Sequence, residues 1–134
     1  MLERLRCLHE TVLRGIDALD AQVASSHPDI AAVSAARLAL SKASRARNCF
    51  LENTVYPAVE PLDRAVIAGL RSRGRERAMM SSEHVHRWTV AEVSRCWSEY
   101  RAVSTEIRHG MRARIREEQT LLYPLIEVAM RAAA

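Results

Sequence analysis

Leu2, Leu5, Leu8, Val12, Ile16, Leu19 and Val23 recur at steps of three and four between residues 2 and 24. That spacing lines one face of an α-helix, whereas a half-buried strand would alternate. His9 and Leu13 widen the stripe on one side. A helix with such a stripe must bury it against other elements, and the rest of the chain offers only more helix. Of 134 residues, 21 are Ala, Gly and Pro contribute 4 each, and aromatics make up 4%. This composition favours helices and starves a β-sheet of its usual β-branched and aromatic faces. The length suits one domain spanning residues 1–134, able to bury roughly two-thirds of the surface its unfolded chain exposes.

The first helix is expected to end at Ser25-Ser26-His27-Pro28, because proline disfavours helical geometry in the residue before it. Asp29 then offers an N-cap for a second helix from Ile30 to Val55, punctuated by Tyr56-Pro57 and Glu60-Pro61. A helical piece from Leu62 to Leu70 leads into Arg71-Ser-Arg-Gly-Arg-Glu-Arg77, which reads as a loop by composition. Its arginines are interrupted by Gly74 and Glu76 and lack aromatic neighbours, which argues against a nucleic-acid surface. Helical patterning resumes near Arg77, and Met79 and Met80 are expected to fill the core. A break is expected at Thr89-Val-Ala-Glu92, a capping-box sequence, with Ser98 as a second possible cap. The last helix carries Tyr100, Val103, Ile107, Met111, Ile115, Leu122, Leu125 and Ile126 as its stripe. Four major helices and no strand result.

The formal charge is +4, with 19 Arg against the single Lys42. That surplus does not name a nucleic acid or a membrane as partner. Cys7, Cys49 and Cys96 cannot all pair, none belongs to a CxxC, and each falls in a helical stretch as a small buried hydrophobe. The expectation is a reduced, cytoplasmic protein. The start, MLERLRCLHE, lacks a signal-peptide core, and no apolar run is long enough to span a membrane. No nucleophile elbow, P-loop, dinucleotide fingerprint or CxxC pair is present, so no enzymatic activity is expected.

One pattern occurs twice. Arg114-Ile-Arg-Glu-Glu118-Gln-Thr-Leu-Leu-Tyr-Pro124-Leu-Ile-Glu127 is echoed by Arg47-Asn-Cys-Phe-Leu-Glu52-Asn-Thr-Val-Tyr-Pro57-Ala-Val-Glu60. Both end in Tyr-Pro, an apolar pair and Glu, with an acidic residue five or six positions upstream. On these residues the chain resembles the hemerythrin-like (HHE cation-binding) family, over essentially its whole length. The stretch from Arg87-Trp-Thr89 through Trp97 and Tyr100 to Leu-Tyr-Pro124 looks like a divergent alphaproteobacterial branch of it. The resemblance implies an all-α, up-down-up-down four-helix bundle. It also implies a metal site in which His and Glu four apart lie on one helical face.

Carried over residue by residue, the resemblance names His9, Glu52, His84 and Glu118 as metal ligands, with His86 competing with His84. The helix-four imidazole position holds Arg114. In helix two, strict register from Pro57 puts Arg47 at the imidazole position and Leu51 at the carboxylate position; a shift by one residue gives Asn48 and Glu52 instead. A guanidinium cannot ligate iron, so the expected site is degenerate. Two functions remain open. In one, the domain binds iron or another divalent cation and senses or carries iron, oxygen or nitric oxide. In the other, the bundle holds no metal, Arg114 and Glu118 form a polar core, and the chain works by binding a protein partner or a second copy of itself.

Overall fold

The computed structural model describes residues 1–134, all of them helical or in short connections, with no strand. Helix α1 spans Leu2–Val23 and α2 spans Ile30–Phe50. A π-helical turn, Leu51–Val55, continues α2 into the short α3, Tyr56–Val59. Helix α4 spans Arg64–Arg87, α5 spans Val90–Arg95 and α6 spans Trp97–Ala133. No helix is long and apolar enough to cross a membrane.

Side-chain caps set three of the starts. Asp29 accepts from the Ala32 N–H at 3.1 Å, Asp63 from Val66 at 3.1 Å and Thr89 from Glu92 at 3.3 Å. Each satisfies an amide that the helix itself leaves unpaired. Only the Thr89 half of the expected capping box forms, because the Glu92 carboxylate is held by Arg95 and Arg87. At the other end of α1, the last carbonyls are taken by α6. Arg101 Nε donates to Val23 O at 2.7 Å, and Trp97 Nε1 to Ser25 O at 3.0 Å.

The stripe on α1 is buried as its spacing requires. Its close approach to α2 depends on Gly15, where a Cβ would meet Leu40 Cδ1 at 3.2 Å. The core divides into two apolar clusters. One joins Val12, Ile16, Val33, Trp97, Tyr100 and Ile115; the other joins Leu5, Leu51, Val55, Ile67, Leu70 and Leu122. Along each of α1, α2 and α6 a buried polar residue stands between the two: His9, Arg47 and Glu118. The core is therefore two apolar halves separated by a charged layer.

Several local expectations are corrected. Arg71–Arg77 is not a loop but the middle of the unbroken α4. That helix buries only Ile67 and Leu70, both near its start, so the apolar signal fades while the helix continues. Met79 and Met80 are 65% and 56% exposed and do not fill the core. Cys7 and Cys49 are exposed, and Val103 is not part of the buried stripe of α6.

Candidate functional site

The charged layer is centred on Glu118, which is completely shielded from solvent. His9 Nε2 donates to its Oε1 at 2.9 Å, since an ionised carboxylate can only accept. The other ring nitrogen, Nδ1, lies 2.7 Å from the Tyr123 hydroxyl. Arg114, one helical turn before Glu118, brings Nε to 2.8 Å from Oε2. This is an ionic contact without good N–H alignment, so Oε2 accepts no regular hydrogen bond. Arg47 approaches from α2, with Nε 3.7 Å from Oε1. Burial pushes the Glu118 carboxyl up, but the His9 hydrogen bond and the charges of Arg47 and Arg114 outweigh it and hold it below the usual range.

Arg114 is fixed by more than its carboxylate. It donates to Leu70 O at 2.8 Å, to the Tyr56 hydroxyl at 3.2 Å and to Glu117 at 2.9 Å. Gly74 on α4 leaves room for it, since a Cβ there would meet Arg114 Nη2 at 3.0 Å. Arg47 is less well served. Its Nε and Nη2 reach Asn48 Oδ1 at 3.3 and 3.2 Å, and its buried Nη1 has no partner. Burial lowers its pKa, and the neighbouring Arg114 adds to that, against the attraction of Glu118.

The four residues named from the family pattern separate. His9 and Glu118 meet in the layer. Glu52 points outward, half-exposed, to Arg71 Nε at 3.4 Å. The strict register from Pro57 is the one that places helix two: Arg47 and Leu51 are buried and Glu52 is not. The π turn begins at Leu51, four residues after Arg47, and Pro57 follows it; Pro124 lies at the equivalent place in α6, where the helix continues without such a turn. His84 lies in the other half of the molecule, stacked on Tyr100 with ring centroids 5.9 Å apart. Burial, then the nearby charges of Arg37 and Arg108, push its pKa down to about 4. His86 is exposed.

This donor set does not fit a cation. One imidazole and one carboxylate are already bonded to each other, and the two flanking positions carry guanidinium groups. No group of three or more His, Cys, Asp and Glu side chains comes together to hold a metal ion.

The arginines of the layer also line a cleft of about 740 Å³ between α2, α4 and α6. It opens where α4, beyond Leu70, buries no further apolar side chain. On the α6 wall, Arg108 is 1% exposed and held by Asp20, Ser104 and Thr105. Tyr100 lies under Arg37, whose guanidinium is 5.5 Å from the ring centroid. Sequence reasoning missed Tyr56, Tyr123, Ser44 and Tyr100 as parts of these sites. The Tyr-Pro repeat marks the first two, while Ser44 and Tyr100 share no spacing that would have drawn attention to them. Compared with known proteins, the chain matches no family model, no curated protein and no solved structure.

Proposed function

We propose that the chain is a hemerythrin-like, up-down-up-down helical bundle in which an Arg–Glu–His layer stands where the family holds its metal. It acts by binding, as an interaction or regulatory module, and catalyses no reaction. The observation that carries this reading is the environment of Glu118, a fully buried carboxylate clasped by His9 and Arg114 with Arg47 close by. A buried carboxylate between guanidinium groups is neutralised without a cation, and a cation brought there would be repelled by both arginines. The repeated Tyr-Pro motif supports the bundle: its two copies place Arg47 and Arg114 beside the same carboxylate.

Metal analysis and a visible spectrum of the purified protein, with thermal melts in the presence and absence of chelator, test the proposal. It expects no stoichiometric metal, no visible absorption and melts that coincide. Glu118→Ala should lower stability equally in both conditions. A loss confined to chelator-free samples would instead make Glu118 a ligand and overturn the proposal.

A further inference from the structure

We propose that the cleft between α2, α4 and α6 binds a small organic anion, a carboxylate or phosphate monoester carried on an apolar body. This deepens the reading of the chain as a binding module by naming a ligand class, and it does not depend on how Glu118 is neutralised.

Three observations converge on it. The first is size: a cleft of about 740 Å³ falls in the range of small-molecule sites. The second is a set of unpartnered polar atoms on its walls. Arg47 Nη1, Ser44 Oγ, His84 Nδ1 and the Tyr100 hydroxyl are all shut off from solvent without a hydrogen-bond partner. Arg47 and Tyr100 are more than nine-tenths buried. Buried polar groups in folded proteins are nearly always satisfied, so four unsatisfied atoms on residues that line one cleft, just behind its surface, mark it as a site for a polar ligand. Ser44 and Arg47 are three apart on α2 and share a face; His84 and Tyr100 are stacked across from α4 to α6. The first pair suits an anionic oxygen group and the second a further polar atom.

The third observation is charge. Arg37, Arg45 and Arg77 line the cleft, and none lies in ion-pair contact with a carboxylate, unlike Arg108 and Arg114. Glu52 is the one acidic residue of the lining, and Arg71 holds it. The net field is positive and selects an anion. Leu19, Leu40, Ile107 and Met111 supply an apolar wall for the rest of the ligand.

Calorimetric titration of the full chain with phenyl phosphate, benzoate, inorganic phosphate and benzylamine tests the inference. Saturable binding of phenyl phosphate or benzoate is expected in the range of millimolar or tighter, and which of the two binds better identifies the anionic group. Inorganic phosphate should bind more weakly, and benzylamine, an aromatic cation, not at all. Arg47→Met should weaken binding about tenfold or more, as expected for loss of a charge-assisted contact. Because Arg47 also faces Glu118, the double variant Arg45→Glu/Arg77→Glu repeats the test on side chains outside the charged layer. Absence of saturable binding by either aromatic anion overturns the inference, as does equal binding of benzylamine or unchanged affinity in both variants. None of these outcomes alters the metal measurements, so the two proposals fail separately.

Discussion

Arg47 on α2 and Arg114 on α6 occupy equivalent places in a repeated motif, and both turn their guanidinium groups toward Glu118, at 3.7 and 2.8 Å. Two cations share one fully buried carboxylate, with His9 as a third partner. Glu118→Gln keeps the shape but leaves both guanidinium groups without their buried counter-charge. Urea denaturation should show a loss of about 3–5 kcal/mol, the usual cost of breaking a buried ion pair from one side. The triple variant Arg47→Met/Arg114→Met/Glu118→Met should recover much of that loss, since it removes both buried guanidinium groups together with their carboxylate. A triple variant no more stable than Glu118→Gln would argue against the ionic cluster as the source of the effect.

Acid should act on the molecule in two windows. The folded-state pKa of His84 is about 4, against an ordinary 6.5, so between these values the unfolded chain binds more protons. Stability therefore falls as pH drops from 6.5 toward 4. Glu118 is held below 4.5; its contribution is complete above that value and is lost as pH falls through its folded pKa. In His84→Gln the decline between pH 6.5 and 4.5 should flatten while the steeper acid limb remains. A pH–stability curve of the variant superimposable on wild type would reject His84 as its source.

Two glycines of α4 should respond oppositely to Ala. At Gly69 a Cβ meets the tip of Arg73, half-exposed and held only by a surface ion pair with Glu117 that a small rotation of the long side chain can keep. Gly69→Ala should stabilise by about 0.5–1 kcal/mol, the usual helix-propensity gain. At Gly74 the obstacle is Arg114 Nη2, pinned by Leu70 O, Tyr56 and Glu117. Gly74→Ala should lower the melting temperature despite the same propensity gain.

Asp20 holds Arg108 and Arg112 together on α6. Burial raises its carboxyl pKa, but the two guanidinium partners win and the net shift is downward. Asp20→Asn removes the charge facing Arg108, which is almost wholly buried. Because solvent reaches the Asp20 carboxylate and Arg108 keeps Ser104 and Thr105, a loss of about 1–2 kcal/mol is expected, measurable by urea titration at neutral pH. Asp17→Asn, whose carboxylate meets only Arg112 at the surface, should cost less than about 1 kcal/mol.

Periodicity announced α1, and side-chain chemistry announced the starts at Asp29 and Thr89, because both signals are local. The middle of α4 was not legible, since after Leu70 its residues face solvent or the cleft and carry no apolar period. The register of α2 was ambiguous for a physical reason. Glu52 is the acidic residue the eye selects, yet the buried positions are Arg47 in α2 and Leu51, the first residue of the π turn. His9, Arg114 and Glu118 drew attention through the family resemblance, and what the structure adds is that the three side chains meet. The cleft was invisible, as Ser44, Arg47, His84 and Tyr100 come from three helices and meet only in space.

A core made only of Leu, Ile and Val leaves the axial alignment of its helices loosely defined, because one apolar ridge fits a groove nearly as well as the next. The layer of His9, Arg47 and Glu118 has no such tolerance. Sliding α1 by one helical turn, about 5.4 Å, would part His9 from Glu118 and set a buried charge against hydrocarbon. An all-apolar replacement of similar volume would hold the halves together as firmly, yet permit several alignments of comparable energy. The ionic layer thus works as an index mark: a slide of α1 or α2 along α6 parts His9 or Arg47 from Glu118, so one alignment is favoured over its neighbours.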